Sequence, residues 1–287
     1  MKLASSIARI GVCMAATACA LQTSHAETAL ERSIVAEPSP HKLLHRPGKE
    51  LPAHWARYVL VLGDEATNQQ RLEAMRNAVS ECARSNRESH LPVAAIKEWP
   101  AHPTSVRTDV YVAADRVATY SHGVSYVVNP QDCGLIEQES QTVTVKSPSG
   151  VCQVNLLTKT ASPDCASARK GPPARPTLPP RSWASPTASP LTPQLTGQRQ
   201  LISSVSCDVA TTPLDPSHGT SCYARGGRFA GFGPRAAADG TSLVIQATST
   251  QGFAYTASDV VLDMATPEAL FSPQQRADIH IDQDDAE

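Results

Sequence analysis

The stretch HKLLHRPGKEL, residues 41–51, carries the most suggestive chemistry in the chain. His41, His45 and Gly48 fall at the spacing of a metzincin zinc motif. The rest of the motif is missing. Lys42 stands where a glutamate base is required, and Leu51 where the third ligand belongs. Two histidines four apart could still bind a metal if the segment were helical, but it reads as a linker. The expectation is therefore a pair of solvated linker histidines, with no metal and no cofactor. His280, among the aspartates of the C-terminal tail, is read the same way.

Serine hydrolysis fares no better. Gly123-Val124-Ser125 and Gly219-Thr220-Ser221 each begin a G-x-S-x-G elbow, but Val127 and Tyr223 stand where the final glycine belongs. Asp115, Asp132 and Glu137 are available acids, yet nothing in the spacing pairs them with a base. No catalytic residue is assigned.

The segment CYARGGRFAGFG, residues 222–233, holds four glycines and three aromatics in twelve residues. Gly226 and Gly231 have P-loop spacing, but Phe232-Gly233 follow where Lys-Ser/Thr is needed. Gly231, Gly233 and Ala236 fit a loose dinucleotide pattern, without a strand–loop–helix unit around them. Glycine's tolerance of positive φ and close backbone approach explains the segment better as architecture. Arg225, Arg228 and Arg235, interleaved with Phe229 and Phe232, are the candidate anion-binding residues.

The elements that would position these groups begin with an export signal. Lys2 and Arg9 precede an apolar run from Ile10 to Leu21, and Ser24-His25-Ala26 is a small-x-small cleavage site. Twelve residues are too few for a bilayer span, which needs about 20. Cleavage is expected after Ala26; the alternative is a lipid anchor on Cys19. The mature chain then keeps six cysteines, an even number that reads as disulfides in a periplasmic or secreted protein. Neighbour pairing is expected: Cys82 with Cys133, Cys152 with Cys165, Cys207 with Cys222. Losing Lys2 and Arg9 leaves 23 basic against 27 acidic residues, a net charge of −4. That balance argues against a nucleic-acid partner.

Residues 27–52 read as a linker. Tyr58 to Leu62 is a buried strand, and Leu72, Met75, Val79 and Cys82 form one helical stripe, with Asp64 or a Thr67–Gln70 box as its cap. Asp109 to Ala113 is a strand, and His122-Gly123 is a hairpin turn between two more. A second hairpin flanks Ser147–Gly150, with Val143, Val145, Cys152, Val154 and Leu156 facing inward. The fold class expected is α+β: a helix packed on an antiparallel β-meander over 53–168. A Pro-rich linker follows over 169–199, with eight prolines from Pro172 to Pro193. A small β-rich module covers 200–264, with strands at 201–209, 242–248 and 253–262, and 265–287 is an acidic tail.

The functional expectation is an exported, disulfide-stabilised, non-catalytic binding or scaffold protein of the bacterial cell envelope. Its partner would be an envelope protein or an anionic glycan. A secreted hydrolase with an unrecognised site is the alternative.

Overall fold

A computed structural model describes residues 28–43, 48–61, 65–166, 193–211, 218–227, 243–249 and 254–281. The segment read as a signal, the prolines from 172 to 190, Arg228, Arg235, Phe229, Phe232 and residues 282–287 lie outside them. Three helices are present among the described residues: α1 (Ala29–Ala36), α2 (Pro40–Leu43) and α3 (Glu65–Glu88). The strands of the first half are β1 (Glu50–Val61), β2 (Thr104–Val112), β3 (Val117–Val128), β4 (Leu135–Ser147), β5 (Gly150–Asn155) and β6 (Thr160–Ala161). Those of the second half are β7 (Gln194–Ile202), β8 (Val205–Thr211), β9 (His218–Ala224), β10 (Val244–Ser249), β11 (Ala254–Pro267) and β12 (His280–Ile281). Two 3₁₀ turns, Glu268–Phe271 and Pro273–Gln275, separate β11 from β12.

All twelve strands join one mixed sheet, ordered β12-β6-β5-β4-β3-β2-β1-β11-β10-β9-β8-β7. This overturns the expected fold class of a helix on a meander followed by a small module. The reason is β11. It pairs antiparallel with β1 from Glu50↔Pro267 to Tyr58↔Ala257, so the C-terminal strands extend the first sheet. Among the described strands only β12 with β6 is a parallel pair. An apolar run such as that of β1 specifies burial on both faces, and does not reveal which strand will lie on each side of it.

Each face of the wide sheet builds a core. On one face Trp55, Tyr111, Ala118, Val143, Val145, Cys152 and Val154 pack under Leu270, Phe271 and Ile279 of the C-terminal segment. On the other, Ala56, Tyr58 and Val112 meet Cys207, Val209, Ala224, Leu243 and Ile245 from β8–β10. The Tyr58 hydroxyl donates to the Val244 carbonyl, and its ring meets Tyr255 edge-on at 5.4 Å. Helix α3 buries Leu72 and lays Met75 against Ile34, Val124 and Tyr126.

Local expectations divide. The β4–β5 hairpin holds, with Val143 opposite Val154 and Val145 opposite Cys152. All three neighbouring cysteine pairs are bonded. His122-Gly123 is no turn: β3 runs unbroken through it, paired to β2 at Arg107 and Val106. Gly123 is small because a Cβ there would lie 2.9 Å from Val106 Cγ2 and 3.1 Å from the Ser105 carbonyl. Helix α3 starts at Glu65, so Thr67 lies inside its first turn rather than capping it. The strand expected at 201–209 is broken at Ser203-Ser204, which turn β7 into β8. Residues 29–36 and 40–43, inside the segment read as linker, are helical and lie against the sheet.

No helix among the described residues is long and apolar enough to cross a membrane.

Candidate functional site

Alternation along four strands places a row of charged side chains on the sheet face beneath α1 and α2. Arg57 of β1 lies opposite Asp109 of β2, Arg107 opposite His122 of β3, and His122 opposite Gln141 of β4. Asp109 is fully buried. It accepts from Trp55 Nε1 at 3.0 Å, Arg57 Nε at 3.0 Å and Arg57 Nη2 at 3.2 Å. A buried carboxylate is tolerated only when paired and hydrogen-bonded in this way.

The arginines serve a second purpose. Helix α1 has no basic residue in its last turn. Its C-terminal carbonyls are met from the sheet instead. Arg107 Nη1 donates to the carbonyls of Ile34 and Glu37 at 3.1 Å, and Arg57 Nη1 donates to that of Glu37 at 3.1 Å. Cations at this end also suit the helix dipole. Arg57 Nη2 donates to Ser39 Oγ at 2.8 Å. The opposite end is closed by a capping box, with Thr28 and Glu31 bonding each other's backbone N–H. Burial raises the Glu31 carboxyl pKa, but its contacts with His102, the Thr28 backbone and Ser105 outweigh this and hold it below the usual value.

Glu37 then links α1 to the strands. Its Oε2 lies 2.8 Å from Arg107 Nη1 and 2.7 Å from His122 Nδ1. His122 Nε2 lies 2.8 Å from Glu139 Oε1, which also accepts from Gln141 Nε2 at 2.9 Å. Both ring nitrogens thus face carboxylate oxygens. The neighbouring Ser121 points to the other face, with Oγ 3.3 Å from Thr108 Oγ1. Successive residues of a strand point to opposite faces, so Ser121 and His122 cannot form a nucleophile–base pair.

This row floors a cavity of about 470 Å³. Glu37, Arg107, Tyr120, His122 and Gln141 lie below; Pro40 and Leu43 form one wall; Leu156, Ala269, Pro273 and Arg276 form the other. Tyr120 fixes that second wall by donating its hydroxyl to the Leu270 carbonyl at 2.8 Å. Burial pushes the Tyr120 phenol well above its ordinary pKa, so it stays a donor.

The residues singled out in the sequence lie elsewhere. His41 sits in an aromatic cluster, 2.9 Å by Nδ1 from the Tyr111 hydroxyl and edge-on to Trp55 at 5.0 Å. Burial lowers its pKa. His45 lies outside the described residues. Arg225 Nη1 is 3.6 Å from Asp208 Oδ1, which Arg199 Nε also approaches at 3.3 Å. Gly226 and Gly227 have φ of +108° and +81°. A Cβ on Gly227 would lie 2.8 Å from Nε2 of the buried His54 ring. This part of the glycine-rich segment is therefore architecture, as its composition suggests. Arg228 and Arg235 lie outside the described residues.

Sequence reasoning missed Glu37, Arg57, Arg107, Asp109, His122 and Glu139. A signal was present: Trp55/Arg57, Arg107/Asp109 and Glu139/Gln141 are i, i+2 polar or aromatic pairs, the period of one strand face. No protein-family model matches the chain, and a search of the curated proteins finds no match.

Proposed function

We propose that this is an exported, non-catalytic binding protein of the bacterial cell envelope, periplasmic or secreted, stapled by its three disulfides. Its ligand site is the cavity over the Arg107–Glu37–His122–Glu139 row. One observation carries the reading: a row of mutually paired charges, running from buried Arg107 through Glu37 to His122, opens on a cavity of about 470 Å³ whose walls are largely apolar. Pockets of this kind orient a ligand with a few fixed polar groups and hold it with apolar surface. Disulfides suit an oxidising compartment, which supports export.

Native mass spectrometry of the protein isolated from its own envelope is expected to show one bound small molecule. The mature chain is expected to begin at Glu27. Turnover of a chromogenic ester, glycoside or peptide, abolished by His122→Ala in a folded protein, would overturn the non-catalytic reading.

Arg225, Arg228 and Arg235 form a second contact surface in this proposal, for an anionic glycan or an acidic patch on an envelope protein. The pairing of Asp208 with both Arg199 and Arg225 leaves a local excess of positive charge, which supports it. Arg225→Ala with Arg228→Ala is expected to weaken anion binding and its salt dependence while stability is kept.

A further inference from the structure

The cavity floor contains a guanidinium that the protein itself does not fully satisfy. Arg107 is 4% exposed. Its Nη1 reaches Ile34, Glu37 and the Glu37 carboxylate. Its Nε lies 3.2 Å from Asp109 Oδ2, yet the alignment makes no hydrogen bond, and the atom is buried without a partner. Its Nη2 has no acceptor among the described residues, and the side chain lines the cavity. A guanidinium has five N–H donors, and leaving buried ones unmet is costly.

A second guanidinium stands across the cavity. Arg276 grips Asp278 through Nε at 3.1 Å and Nη2 at 2.9 Å, leaving Nη1 without an acceptor among the described residues. The carboxylates here are already engaged. Glu37 serves Arg107 and His122, and Asp278 serves Arg276, with Lys159 Nζ at 3.8 Å. The unused charged donors of the cavity are therefore cationic N–H groups. Between them lie Pro40, Leu43, Leu156, Ala269, Pro273 and the Tyr120 ring.

Resting on the binding reading above, we infer that the ligand is a small amphiphile with a single carboxylate head at the buried Arg107 guanidinium, its apolar body against those walls and Arg276 at the rim adding positive charge. A carboxylate accepts charge-assisted hydrogen bonds in a geometry that suits guanidinium groups. An ammonium head would bring a third cation to Arg107 and Arg276 and would have to compete with them and with His122 for Glu37 and Asp278. An alcohol would make one neutral bond. A dianion would bring more charge than a row already balanced by Glu37, Asp109 and Glu139 accommodates.

Isothermal titration of the mature protein with octanoate, octan-1-ol and octylammonium tests this, since the three share one tail. Octanoate is expected to bind roughly tenfold more tightly than the alcohol, the difference between charge-assisted and neutral hydrogen bonds. Octylammonium is expected not to bind. Arg107→Gln should erase the preference for the acid, bringing octanoate to about the affinity of the alcohol. Should that variant fail to fold, Arg276→Ala at the rim is expected to reduce the same preference, and Arg199→Ala on β7 to leave it intact. Equal binding of the three heads, or octanoate binding unchanged in a folded Arg107→Gln or in Arg276→Ala, overturns the assignment. If no amphiphile binds while the native protein carries another small molecule, the ligand class falls and the binding reading stands. If neither is seen, both fall.

Discussion

The two halves of the sheet solve burial in opposite ways. Under α1 and α2, strands β1–β4 bury Asp109, Arg107 and Glu31 beside Trp55 and Tyr111. Around β8–β10 the core is apolar, from Ile202 through Val209 to Ile245, and is tied by Cys207–Cys222. Apolar burial stabilises without regard to direction. Buried ion pairs add little net stability, but breaking one is costly, because the remaining charge is stranded. The first half is thus built to hold a few groups in fixed positions, and the second to hold itself together.

The contrast is sharpest at two aspartates. Asp109→Ala strands Arg57 and Arg107 and is expected to cost about 3–5 kcal/mol. Asp208→Ala, between two largely exposed arginines, is expected to cost under about 1 kcal/mol. Urea unfolding of both variants measures the difference, and equal losses would erase the distinction between the halves.

Disulfide removal comes next. Cys152–Cys165 and Cys207–Cys222 span 13 and 15 residues, one in each half. Loop entropy predicts nearly the same loss for each double alanine variant, about 3 kcal/mol. Unequal denaturation midpoints would mean that the two cores relax differently around the lost bridge.

Glycines give a smaller contrast. Gly227→Ala meets both a positive φ and the His54 ring, and a loss of roughly 2 kcal/mol is expected. Gly197 in β7 has φ +81° with nothing within 4 Å, so Gly197→Ala should cost only about 1 kcal/mol. Thermal unfolding of the pair separates backbone strain from collision.

The gentlest probe is pH. Burial lowers the pKa of His54 and of His41 from 6.5. The unfolded chain therefore takes up these protons first. Stability is complete above about 6.5 and declines as pH falls below it, by at most about 1.4 kcal/mol per pH unit for each histidine. His54→Asn and His41→Asn should each flatten part of that slope. Glu31, held below its usual value, adds a further loss at lower pH as it becomes protonated.

Local pattern was legible where one face met water. Thr142, Thr144 and Gln153 alternate with Val143, Val145 and Cys152, and the β4–β5 register follows from that. The cysteine pairs were legible because near neighbours in sequence fell on adjacent elements. His122-Gly123 misled because glycine beside a polar residue resembles a turn, whereas the crowding that excludes a side chain comes from Val106 on another strand. The functional row was hidden for the same reason. Arg107, His122 and Gln141 become neighbours only through register, while Glu37 arrives from a helix in a segment that its prolines marked as linker.

The pairing of β1 with β11 also sets an order of events. Strand β1 is made early, with the apolar sequence Trp55 to Val61, and its partner at Ala254–Pro267 comes about 200 residues later. Contacts so distant in sequence pay their loop-closure entropy before they return any stabilisation, which slows folding. Until β11 arrives, β1 presents an open, sticky edge to any other chain. Strand β11, made long after β1, therefore closes it, and a chain truncated before Ala254 would expose the middle of its own sheet.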